Sequence, residues 1–366
     1  MSENLLTGIL IFCMIQSILF AILSSTKKKK LIKDKLMSIW LLILSLQTFL
    51  IVLNMQVQPI RTLINAPLII TLLYGPLLFL YVSKLTKIRA KLLIIDFVHF
   101  IPFVLFLSIS FLYPANRNLF TKLLAVVSCL SGIVYCFVTY FQLRNHKKNI
   151  VTKFSNIENI NLKWVSKLVI GLLFIWCGVI LLVVLKRFLH IELSLNWFFT
   201  IIPVFIFFLG YNGIRQQVIY PKNQEIGINV SGEIQRRQKS YENTYKKSGL
   251  QLDSMKTIYD KLVSSMHNDK LYLNPTLSLS ELSEAINSPA HHITQTLNEF
   301  ARINFYDFIN SFRVDAVKSK IESDDVQKFT LLAIAFDCGF NSKSSFNRIF
   351  KSYTGKSPSE YKKNTE

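Results

Sequence analysis

The chain is short of acid and has no paired cysteine spacing. Only 22 of its 366 residues are Asp or Glu, against 42 Lys and Arg, for a formal net charge of +20. Its five cysteines, Cys13, Cys129, Cys136, Cys177 and Cys338, recur at no metal-binding or disulfide spacing. No zinc or disulfide framework is apparent, and they read as small buried hydrophobes. No phosphate-cradling glycine loop, metal-ligand set or nucleophile constellation is visible, so no enzyme, metal or cofactor is expected. The N-terminus also lacks basic residues before its first apolar run, and Lys27 to Lys30 follow that run instead. This is the reverse of a secretory signal and suits a span inserted with its N-terminus outside.

Hydrophobic residues, by contrast, make up 51% of the chain, and the mean hydropathy is +0.36. A soluble DNA-binding protein would not show this, although +20 alone looks like a nucleic-acid binder. The charge divides unevenly at Leu250. Residues 1–250 hold 28 Lys and Arg and 8 Asp and Glu; residues 251–366 hold 14 of each. The excess therefore lies in the hydrophobic part. Within the neutral part, Gly339 to Lys363 still gathers six basic residues against Glu360 alone.

Seven apolar stretches precede residue 214: Leu5–Leu23, Leu36–Leu53, Leu63–Val82, Leu92–Tyr113, Leu119–Phe141, Val165–Leu185 and Leu195–Gly213. Each is near the roughly 20 residues that span a bilayer. Basic residues alternate between the loops. One set holds Lys27–Lys30, Lys33 and Lys35, then Lys84, Lys87, Arg89 and Lys91, then Arg144, Lys147, Lys148, Lys153 and Lys163. The other set holds only Arg61, Arg117, Lys186 and Arg187. Positive charge inside puts the N-terminus outside and, after seven spans, the C-terminus in the cytoplasm.

Few polar residues interrupt these stretches. Asp96 and His99 lie three apart on one helical face, about a turn inside the end of their span. An interfacial salt bridge is the plainer reading, and a ligand, proton or metal role is the sharper one. Pro76 in the Tyr74-Gly75-Pro76 run predicts a kink. From Ile214 to Leu250 hydrophobicity falls, and Pro221, Gly227 and Gly232 break a polar segment. This is a linker whose charged end, Glu233 to Lys247, is either a helix pairing with a second subunit or a passive tether. The expected domains are 1–213, a membrane part; 214–250, the linker; and 251–366, a separate part whose pattern is read next.

The last third is punctuated for helices. Leu252 to Met266 carries an apolar stripe, and Ser278 with Glu281 forms a capping box ahead of Leu279, Leu282, Ala285 and Ile286. Pro289 starts a helix with Ile293, Leu297 and Phe300 inward and His291, His292, Thr294, Gln295 and Asn298 outward. A long helix, Phe305 to Glu322, follows. Thr330 then caps a helix that Gly339 ends in a left-handed turn. Ser342 caps the next, on which Phe346, Ile349, Phe350 and Tyr353 recur at helical spacing and face inward. That leaves Lys343, Ser344, Asn347, Arg348 and Lys351 outward, a short polar and basic face suited to a major groove. Gly355 closes this helix, and Ser357, Pro358 and Glu360 open another.

A solvated helical hairpin would share this spacing. The positions Ile334-Ala335, Gly339-Phe340, Ser342, Ser344, Phe346, Arg348, Phe350-Lys351, Gly355, Pro358 and Tyr361, however, closely resemble the signature of AraC/XylS-type transcription regulators. The resemblance covers about Leu252–Lys363, and Phe305, Phe308-Ile309-Asn310, Arg313 and Ala316 resemble the family's linker helix. It is nearest to membrane-anchored members with several N-terminal spans, whose domain entrance Tyr245–Leu250 resembles.

It implies an all-α fold: a seven-helix membrane domain, then two helix-turn-helix units joined by one long helix. His291, Thr294 and Gln295 match the base-facing positions of the first recognition helix. Lys343, Ser344, Asn347 and Arg348 match those of the second, with Lys351 better suited to phosphate. Arg302 departs from the pattern, standing where the family has a turn glycine. The His291-His292 pair invites a metal reading, against which stands the divergence of adjacent helical residues.

The function implied is a membrane-tethered, sequence-specific transcription regulator. Its partners would be promoter DNA, the lipid bilayer, RNA polymerase, a second copy of the chain and an unidentified signal ligand. A receptor or transporter whose cytoplasmic domain binds a protein partner is the competing class, and release of the DNA-binding part by cleavage in the linker is a third.

Overall fold

The computed structural model describes residues 2–27, 31–56, 65–86, 92–112, 117–190, 200–216, 250–323 and 329–364. The 217–249 part of the linker lies outside them, with the start of the seventh apolar stretch and the loop residues Lys28–Lys30, Arg61, Lys87, Arg89 and Lys91. So do the side chains of Arg117, Lys186 and Arg187. Among the described residues every regular element is a helix, apart from one isolated antiparallel bridge. The chain divides into two compact units: Met1–Asn145 with Leu162–Ile219, and His146–Asn161 with Tyr220–Glu366.

The first unit contains α1 (Glu3–Ser25), α2 (Ile32–Gln56), α3 (Ala66–Ile70), α4 (Tyr74–Thr86), α5 (Ile101–Leu112) and most of α6 (Arg117–Val151). It also holds α7 (Lys163–Phe188) and α8 (Ile201–Arg215). Six of its helical segments are long and apolar enough to cross a membrane. The described part of the seventh apolar stretch is a shorter helix of 15 residues. Many large apolar side chains point outward, among them Phe12, Ile15 and Leu19 of α1 and Leu123, Val126, Leu130 and Phe137 of α6. Apolar surface on that scale is costly in water and matched by hydrocarbon.

Inside, α1 packs along α2, and α8 lies against both. Gly75 lets the Tyr135 ring lie where a side chain would stand, since a Cβ there would come within 2.4 Å of it. Proline at position 76 cannot donate to the carbonyl one turn earlier. The span accordingly tightens into a 3-10 turn over Thr71–Leu73 just ahead of it. Asp96 forms its salt bridge, to Lys84 of α4, while His99 Nδ1 bonds the Tyr135 hydroxyl at 2.8 Å. Among the described residues no group of three metal-type side chains forms. Cys177 is exposed, contrary to the expectation that every cysteine is buried; the other four are buried. Its apolar run has an outward side, and a small weakly polar thiol is no worse there than alanine.

The second unit holds α9 (Leu252–His267), α10 (Leu279–Ala285), α11 (Ala290–Gln295) continued by a π turn at Thr296–Phe300, and α12 (Phe305–Ile321). After these come α13 (Leu331–Asp337), α14 (Lys343–Thr354) and α15 (Pro358–Lys363). Its core gathers Leu262, Met266, Leu282, Ile293, Leu297, Phe305, Phe308 and Ile309. A series of rings, Phe340–Phe346–Phe350–Tyr361, tilted at its first pair and edge-to-face at the other two, runs from the α13–α14 turn through α14 to α15, with centroids 5.3 to 5.6 Å apart.

Two sequence expectations fail here. Phe300 is 39% exposed and Tyr353 is 42% exposed. The π turn carries Phe300 off the inward stripe to lie against Tyr259. The Tyr353 hydroxyl needs a partner and donates to the Asp307 carbonyl at 2.8 Å, which holds the ring at the rim.

Candidate nucleic-acid interface

Local chemistry builds the α13–α14 pair. Thr330 Oγ1 accepts from the Ala333 amide at 3.1 Å and starts α13. Gly339 then takes φ +88°, and a Cβ there would lie 2.3 Å from the Tyr272 carbonyl. Glycine is needed at this turn twice over, for its conformation and for the close approach of another backbone. Ser342 Oγ accepts from the Ser345 amide at 3.1 Å and starts α14. Phe346, Ile349 and Phe350 are buried, so Lys343, Ser344, Asn347, Arg348 and Lys351 are all exposed on the other face.

Arg348 is braced as well as exposed. Its guanidinium donates to the hydroxyl of Tyr306 at 3.0 Å, and Tyr306 is a buried residue of α12. Burial pushes the Tyr306 phenol up, partly offset by the bond from Arg348. The hydroxyl therefore stays neutral and keeps the guanidinium aligned.

The α10–α11 pair repeats the plan with different residues. Ser278 and Glu281 close the capping box, and Asn287, at φ +47°, makes the turn that Gly339 makes in the second pair. Arg302 takes φ +56° where the resemblance led to a glycine. On α11, His291 is exposed while Thr294 and Gln295 are half-buried. Thr294 bonds back to the Ala290 carbonyl at 2.9 Å, and Gln295 donates to Glu299 at 3.0 Å. The His291 and His292 rings lie 4.2 Å apart, so their side chains converge despite being adjacent on the helix. Two imidazoles leave a metal site incomplete, and no third metal-type side chain joins them among the described residues. Although the residue is exposed, partial desolvation of its ring first, and His292 second, hold His291 below the usual imidazole range. At neutral pH it is an uncharged donor and acceptor.

Two residues of this region carry no signal in the motif. Tyr306 reads as one more apolar position of α12. Glu158, the single acid between Arg144 and Lys163, accepts hydrogen bonds from the hydroxyls of both Ser342 and Ser344 at the start of α14.

The family model described as "Helix-turn-helix domain" matches residues 282–364, which run from α10 to the end of α15. An uncharacterized HTH-type transcriptional regulator of Staphylococcus aureus strain COL is 33% identical over 93 residues. Those residues are 25% of this chain and 12% of that protein. Similar regulators of strains MSSA476 and N315 match with the same identity and coverage. The chain thus spans about an eighth of the length of these relatives, and no solved structure matches it significantly. The C-terminal part of the chain carries an AraC-type helix-turn-helix domain, similar to that of HTH-type transcriptional regulators, and several apolar helices precede it.

Proposed function

We propose that the whole chain is a membrane-tethered regulator that binds promoter DNA sequence-specifically while its apolar helices sit in the lipid bilayer. The observation that carries this reading is the composition of the α14 face. Five exposed polar or basic residues share it, on a helix fixed by a side-chain cap and an aromatic core. Lys343, Ser344, Asn347 and Arg348 take the base edges, Arg348 suiting guanine O6 and N7 and Asn347 suiting adenine. Lys351 takes phosphate. His291, Thr294 and Gln295 read a second stretch of the same duplex. The alternation of basic loops supports an N-terminus outside and a C-terminal domain in the cytoplasm. The membrane part then senses a signal ligand or the state of the bilayer and shifts the DNA-binding part between conformations.

Selection from a genomic fragment library by the full-length protein in lipid nanodiscs tests this. Enrichment of a common duplex sequence is the expected outcome. Folded protein that enriches none would favour a protein partner for the C-terminal domain.

A further inference from the structure

The stretch His146–Asn161 joins two helices of membrane-spanning length, the end of α6 and the start of α7, yet it belongs to the second compact unit. It is held there by backbone pairing. The Ser155 amide donates to the Leu277 carbonyl at 3.2 Å, and the Leu279 amide donates to the Lys153 carbonyl at 3.0 Å. The pairing forms the isolated bridge between Phe154 and Ser278, at the cap of α10.

Side chains reinforce it. Ser155 is buried, and its hydroxyl donates to the Leu277 carbonyl at 2.7 Å. Its carbonyl accepts from Asn310 and Arg313 of α12. His146 Nε2 bonds the Ile160 carbonyl at 2.8 Å, which closes the stretch on itself.

From this base the stretch reaches α14. The Glu158 carboxylate accepts from Ser342, the cap residue of α14, and from Ser344 on its exposed face. Two hydroxyl donors at the positive end of a helix are what a DNA phosphate or base edge would be offered. A carboxylate fixed there takes those donors and repels the phosphate backbone.

We propose that residues 146–161 form a built-in inhibitory strap, with Glu158 standing on the recognition helix as a competitor of DNA. This rests on the DNA-binding reading above and adds its regulation. DNA can engage α14 only when Glu158 leaves it. Because the strap is covalently continuous with two apolar helices, a change in their spacing pulls directly on it.

The test measures affinity of the full-length protein in nanodiscs for a duplex selected as above, the selection being run with both wild type and Glu158→Ala. Asp253→Ala removes an exposed carboxylate from the first turn of α9 and is the charge-matched control. Glu158→Ala is expected to bind about tenfold more tightly, within the usual range of coupling between sites, while Asp253→Ala stays near wild type. Equal affinity of wild type and Glu158→Ala would overturn the strap and leave the DNA-binding reading standing. Equal tightening by both variants would also overturn it, since charge alone would then suffice. Failure of both wild type and Glu158→Ala to enrich any duplex would overturn the DNA-binding reading, and the strap with it.

Discussion

The Arg313 guanidinium, 2% exposed, donates to the Ser155 carbonyl at 3.3 Å and to the Ser155 hydroxyl at 3.1 Å. Its other bonds go to the carbonyls of Tyr272 and Asn274 and to the side chain of Asn310. Burial lowers the Arg313 pKa to about 10, so the group is still charged at neutral pH. A buried charge is tolerated only when its donors are met, and two of them are met by a residue nearly 160 positions away in the chain.

The fragment 250–366 is therefore expected to fold less stably than the same fragment supplied with residues 146–161. Hydrogen bonds to a charged group contribute about 1.5–3 kcal/mol, with water restoring part of that in the fragment. Urea denaturation of the fragment with and without a synthetic 146–161 peptide checks this. A midpoint that saturating peptide does not move would contradict it.

Reading and positioning should separate on α14. Arg348→Ala is expected to lose roughly 1–3 kcal/mol and to relax preference at one base position. Lys351→Ala should weaken all sequences alike and reduce the salt slope by about one. Tyr306→Phe removes only the hydroxyl that braces Arg348, so it should blunt the same base preference as Arg348→Ala, but less. Binding to a randomised operator library at two salt concentrations distinguishes the three. Uniform loss for Arg348→Ala would make that arginine a phosphate contact.

Three left-handed positions give a graded stability series. Gly339→Ala should cost at least about 2 kcal/mol, because the unfavourable conformation is joined by the clash with the Tyr272 carbonyl. Gly355→Ala, at φ +74° with nothing within 4 Å, should cost only the conformational part, about 1–2 kcal/mol. Arg302→Gly should stabilise by roughly 0.5–1 kcal/mol, the relief of the left-handed arginine less the added freedom of the unfolded chain. Thermal or urea unfolding of the three variants sets the order.

What could be read from the chain beforehand was what local chemistry decides. The caps at Ser278, Thr330, Ser342 and Ser357 need only residues three positions away, and all four form. The exposed face of α14 follows from the spacing of Phe346, Ile349 and Phe350. Non-local relationships left no such trace. Phe300 was displaced by a π turn, and Tyr353 by a carbonyl on another helix. The pairing of residues 153–155 with 277–279 uses backbone groups that any residues could supply. Glu158 lay in a loop whose lysines spoke for orientation, and nothing in the sequence placed it beside Ser342.

Orientation in the membrane is expected to follow the basic loops. Reporter fusions should place the Lys27–Lys35 loop in the cytoplasm and the loop around Arg117 outside. Finding both on one side would contradict the seven-span arrangement, since three spans separate them.

The most direct measurement is a map of chromosomal sites bound by the full-length protein, cross-linked in cells whose membrane fraction retains it. The account predicts discrete sites sharing one sequence, with occupancy abolished by Phe350→Ala, which removes a ring buried in the core of α14. A membrane-retained, folded protein that cross-links to no discrete site would contradict it.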